Sequence, residues 1–129
     1  FVFTSGQLGI IPDTGALAHS MAAQTVQALE NVVSVLKSAD LALTNVVKTT
    51  CFLKNMEDFS LFNEIYSQYF KDHKPARSCF AVAQLPKDAL VEIEVIAIDN
   101  GHTALLKTCG ERYGKDVHTV LFPIDIQST

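Results

Sequence analysis

An α+β domain, with two helices laid on one face of a mixed sheet, is what this 129-residue chain predicts. Three observations carry that reading. Two stretches repeat apolar residues at helical spacing, and short β-branched or aromatic runs occupy residues 1–6, 46–53, 78–85 and 91–98. Their order is strand, helix, strand, helix, strand, strand, which suits helices gathered on one side of a sheet. The length fits a single domain with a real hydrophobic core, and 48% hydrophobic against 19% charged residues argues for compaction over disorder.

The elements follow in order. Residues 1–6 form a strand that breaks at Gly6, and Pro12-Asp13-Thr14-Gly15 supplies a tight turn, because Pro presets φ and Gly accepts positive φ. Ser20 caps a helix of about five turns whose apolar stripe is Ala22, Val26, Leu29, Val33 and Leu36, with Gln27, Glu30, Ser34 and Lys37 facing solvent. The β-branched run 46–53 is a strand, with Cys51 packed inside it as a small hydrophobe. Asn55 caps a second helix, with Glu57 and Asp58 at its positive end, and Phe59, Phe62, Tyr66 and Tyr69 form its stripe toward the sheet. Asn63 sits one step off that stripe, where it reaches either solvent or a cleft at the helix edge. Residues 1–100 make up the domain. Residues 101–129, with three of the six glycines, read as a C-terminal extension holding one strand-like run at 116–123.

Charge and motifs remove several classes of function. The net charge of −4, with scattered Lys and Arg and no basic stripe interleaved with aromatics, argues against a nucleic-acid partner. No apolar run is long enough to span a bilayer, so a soluble intracellular protein is expected, cytoplasmic with a mitochondrial location left open. Cys51, Cys79 and Cys109 are dispersed, as are the four histidines, which predicts no metal and no disulfide framework. Serine-hydrolase, P-loop and dinucleotide-binding signatures are absent.

The chemistry concentrates in residues 75–99. Arg77, Glu92 and Glu94 stand in apolar surroundings, where a charge is costly unless paired or used. Alternation puts Val91, Ile93, Val95 and Ala97 on one side of the last strand and Glu92, Glu94, Ile96 and Ile98 on the other. By spacing alone, a structural ion pair between Arg77 and a Glu stands level with a functional site. Ser5 and Gly6 end the first strand, and there Gly either lets the backbone bend or presents it to a ligand.

The stretches SGQLGIIPDTG, AAQTVQALENV, VVKTTCFLKNMEDF, FNEIY and PARSCFAVAQLPKDALVEIEVIAI closely resemble the Rid family, also called YjgF or L-PSP proteins, and within it the RidA-type enamine/imine deaminases. The resemblance covers roughly the first three quarters of the chain. It implies a chorismate-mutase-like fold assembled as a homotrimer, with ligand clefts between subunits. It also implies hydrolysis of 2-aminoacrylate-type enamines and their imines to 2-oxo acids and ammonia, without a cofactor. By that resemblance Arg77 anchors the substrate carboxylate and Glu92 handles water, the catalytic pair, while Ser5, Gly6, Asn63 and Cys79 line the cleft. Glu94 keeps a structural role. The chemistry suits the residue types: a guanidinium fork matches a carboxylate, and a carboxylate takes a proton from water.

Two departures accompany the resemblance. Members of the family carry a preceding segment with a G-P-Y motif and a first strand, whereas this chain starts at the second; either 116–123 supplies that strand or the sheet edge stays open. The charged loop before Pro75 is shorter than is usual in RidA. The alternatives to a deaminase are an endoribonuclease or translation inhibitor of the L-PSP type and a non-catalytic trimer that binds small carboxylates or acts as a chaperone.

Overall fold

A computed structural model describes residues 1–99. The predicted extension and its strand at 116–123 lie outside the described residues. The elements are β1 (Val2–Phe3), β2 (Gln7–Leu8), α1 (Met21–Ser38), β3 (Val46–Leu53), α2 (Phe59–Tyr69), β4 (Ala76–Ala81) and β5 (Val91–Ala97). The sheet runs β1-β5-β3-β4, with β2 also on β5. It is mixed: β3 and β4 are parallel, joined through α2, and every other pair is antiparallel. The α+β class stands as expected. Among the described residues, no helix is long and apolar enough to cross a membrane.

The first expected strand, residues 1–6, shortens to β1, and β2 follows just beyond Gly6. Val2 pairs with Ala97 and Phe3 with Ile96, but Gln7 pairs with Ile93, so the register slips by one residue, as at a bulge. Thr4 bridges the slip: its N–H donates to the Val95 carbonyl and its Oγ1 accepts from the Val95 N–H, each at 3.0 Å. Ser5 and Gly6 bow out between the two strands.

Ser20 caps α1 as predicted, its Oγ accepting from Ala23 N at 3.1 Å. The buried side keeps Leu29 and Leu36 of the predicted stripe but is turned away from Val26 and Val33. It consists of Met21, Gln24, Thr25, Ala28, Leu29, Val32 and Leu36, while Val26 is 41% exposed. The face is turned because two polar residues are buried with their hydrogen bonds made. Gln24 Nε2 donates to the Ala18 carbonyl and Gln24 Oε1 accepts from Leu90 N, while Thr25 Oγ1 donates to the Met21 carbonyl. In α2, Phe62, Ile65 and Tyr66 are buried. Asn55 caps a short 3-10 turn, Met56–Asp58, that leads into the helix.

β4 begins two residues earlier than predicted and ends at Ala81, because its parallel partner β3 ends at Leu53, opposite Ala81. Beyond it, Leu85 and Ala89 pack with Leu8, Phe52 and Val82 in a small second cluster. The main core lies between the helices and one sheet face, where Val91, Ile93, Val95 and Ala97 meet Leu29, Val32, Leu36 and Phe62. Each such aliphatic or aromatic side chain contributes roughly 1.5–3 kcal/mol.

Register divides the sheet. Thr49 pairs with Val95 and Arg77, and Cys51 with Ile93 and Cys79, so Arg77 and Cys79 share the helix-covered face. Thr50 pairs with Glu94 and Ser78, and Phe52 with Glu92 and Phe80, so these lie on the opposite, open face.

Candidate functional site

Arg77 projects from β4 toward α2. Its Nη1 donates to Asn63 Oδ1 at 2.7 Å, and its guanidinium carbon lies 4.5 Å from the centre of the Tyr66 ring and 5.6 Å from that of Phe59. Asn63 and Tyr66, three residues apart, share the side of α2 that meets β4, so one helical turn supplies both an acceptor and an aromatic platform. Tyr66 is itself pinned, its hydroxyl 2.8 Å from Thr49 Oγ1 on β3. Burial pushes the tyrosine hydroxyl far up, so the phenol stays neutral beside the cation. A cavity of about 190 Å³ opens here between α2 and β4, lined by Asn63, Tyr66, Ser67, Phe70, Lys74, Pro75 and Arg77. Two cations and two small polar side chains on a partly aromatic wall suit a small anion.

Cys79 follows two residues along on the same face and is half buried. Desolvation pushes its thiol up, and the Arg77 charge opposes that.

Glu92 sits on the open face of β5, beside the bow between β1 and β2. A Cβ at Gly6 would overlap its carboxylate, with the carboxyl carbon only 2.7 Å away, so the Gly6 backbone lies directly against this acid. Exposed Ser5 is the adjoining residue. Burial pushes the Glu92 carboxyl above its ordinary value, and the like charge of Glu94 on the same face adds to the rise.

The predicted residues therefore fall into two groups. Arg77, Asn63 and Cys79 lie together on the helix side, and Glu92, Ser5 and Gly6 lie together on the other; one chain does not bring Arg77 and Glu92 to a common hollow. Tyr66, expected only as part of the α2 stripe toward the sheet, lines this site, as does Lys74, and Thr49 holds the Tyr66 hydroxyl; none of the three stands out as a site residue in the sequence. For Tyr66 the available signal was the phenol itself: a tyrosine on a buried stripe needs a partner for its hydroxyl.

The family described as Endoribonuclease L-PSP matches residues 1–99. The 2-iminobutanoate/2-iminopropanoate deaminase of Salmonella typhimurium is 47% identical over 100 residues, covering 75% of this chain and 78% of the relative. The crystal structure of Escherichia coli TdcF with bound serine aligns with a TM-score of 0.73 at 40% identity, over 76% of this chain and 80% of that one. The E. coli YjgF gene product aligns with the same score at 42% identity, over 76% and 80%.

Proposed function

The chain belongs to the Endoribonuclease L-PSP family, and from that premise we propose that it hydrolyses small 2-imino acids and their enamine tautomers to 2-oxo acids and ammonia. The reaction is the one for which the Salmonella relative is named. The observation that carries the proposal here is the Arg77 guanidinium, fixed by Asn63 and the Tyr66 ring at the mouth of a cavity suited to a small anion.

Arg77 and Glu92 occupy opposite sheet faces, so the working cleft joins the Arg77 face of one copy to the Glu92 face of another, in a homotrimer. Arg77 binds the substrate carboxylate, and because Asn63 fixes the plane of the fork, it also sets where the imine carbon lies. Cys79 shapes the adjoining wall. From the second copy, Glu92 orients a water and takes its proton as the oxygen adds to the imine carbon. The same carboxyl returns that proton to nitrogen, giving the neutral carbinolamine; the carboxylate then takes the carbinol hydroxyl proton and passes it to nitrogen as the C–N bond breaks, releasing ammonia and the 2-oxo acid. Ser5 offers a hydroxyl and Gly6 a close-lying backbone next to the acid. No cofactor is called for, because an imine carbon is already electrophilic.

The test uses a dehydratase to generate the imine and follows 2-oxo-acid release. Arg77→Ala lowers the rate by about 10²–10³-fold, the usual cost of removing a positioned electrostatic partner; an unchanged rate overturns the proposal. Co-expressing Arg77→Ala and Glu92→Gln chains restores about a quarter of wild-type activity, the statistical share of intact clefts in mixed rings of three. No recovery overturns the shared cleft.

A further inference from the structure

Cys51 and Cys79 are direct register partners on the parallel strands β3 and β4, and both are free thiols on the helix-covered face. Paired strands lie about 4.8 Å apart, inside the roughly 4.4–6.8 Å that disulfides span between Cα atoms. That spacing falls short of the roughly 5.5–6 Å most disulfides adopt, and strained disulfides are the readily reduced ones. The surroundings link this pair to Arg77 from two sides. Cys79 follows it on β4, while the Cys51 sulfur lies 4.0 Å from Thr49 Oγ1, whose partner is the hydroxyl of the Tyr66 ring beneath the guanidinium.

We propose that Cys51 and Cys79 form a reversible cross-strand disulfide site, oxidised by hydrogen peroxide, whose closure displaces Arg77 and disables its pocket. Cys51 is fully buried and its thiol is pushed up to about 12, whereas Cys79 is partly exposed and has Arg77 opposing its shift, so Cys79 meets the oxidant first. Its thiolate attacks one peroxide oxygen and the O–O bond breaks; the departing hydroxide takes the thiol proton as water, leaving a sulfenic acid. The Cys51 sulfur then attacks the Cys79 sulfur. The S–O bond breaks, and hydroxide leaves with the Cys51 proton as a second water. Two thiols lose two electrons and one peroxide gains them.

The experiment uses the full chain carrying Cys109→Ser, treated with graded hydrogen peroxide and then alkylated. The expected result is a mass loss of two hydrogens and a linked Cys51–Cys79 peptide, both reversed by dithiothreitol. Turnover falls by about 10²-fold, as when a positioning group is displaced by roughly 1 Å, and returns on reduction. Cys51→Val, or Cys51→Ala should the valine not fold, starts with full activity and shows no such reversible loss. Conversion of Cys79 to sulfinic acid with no linked peptide overturns the proposal, as does full turnover in the bridged protein. Formation of the bond does not depend on the deaminase reading, and only its effect on turnover does. An untreated protein with no turnover sinks that reading, while the linked peptide still decides the bridge.

Discussion

On its helix side the sheet holds a cation fixed in place, with an amide oxygen at one nitrogen and an aromatic face below; on its open side it holds an acid whose setting opposes charge, with partial burial and a second carboxylate beside it. A guanidinium held in place is suited to gripping a substrate. A carboxylate raised above its ordinary value is suited to exchanging protons. On the proposed reading, the difference teaches that the chain builds binding and proton transfer separately, with a sheet between them, and that a second copy unites them.

The sharpest way to break that division is kinetic. Glu92→Gln is expected to lower kcat by about 10²–10⁴-fold, the range for a lost acid–base group, with little change in KM. Arg77→Lys keeps the charge, loses the planar fork and acts mainly through KM. Steady-state kinetics on both variants checks this, and a matching drop in kcat for the two would merge the roles. In stability the faces also differ. Phe62→Ala, fully buried under the helices, costs about 3–5 kcal/mol in denaturant unfolding, whereas Phe80→Ala, 44% exposed on the open face, leaves the unfolding midpoint nearly unmoved unless copies pack there. Tyr66→Phe keeps the platform and removes the tie to Thr49, for about 1 kcal/mol. The subtlest test is pH. Glu92 must be ionised to take a proton, so kcat/KM rises with pH through its raised value; Glu94→Gln removes one cause of the rise and moves that acid limb to lower pH. An unmoved limb would assign it to another group.

Much of this was legible in the sequence. The element order, Ser20 and Asn55 as caps, and the alternation of β5 follow from local chemistry and period, which a single sequence displays. What was hidden depends on partners far along the chain. The α1 stripe turned because Gln24 satisfies Ala18 and Leu90 at once, and no hydropathy pattern shows a buried amide with both ends used. β4 took its bounds from β3. Arg77 and Glu92 looked like neighbours because their strands are close in sequence, yet β3 lies between those strands and register sends the two side chains to opposite faces. Asn63 was singled out with two destinations open to it, and the guanidinium decides between them.

The Gln24 amide reaches beyond packing. It ties the loop ahead of α1 to Leu90, two residues before the acid of β5, so the seating of this helix and the start of that strand are fixed together. Swapping in Glu there would keep the anchor to Leu90 and cut the one to Ala18, a means of shifting the Glu92 end of β5 from the far side of the molecule.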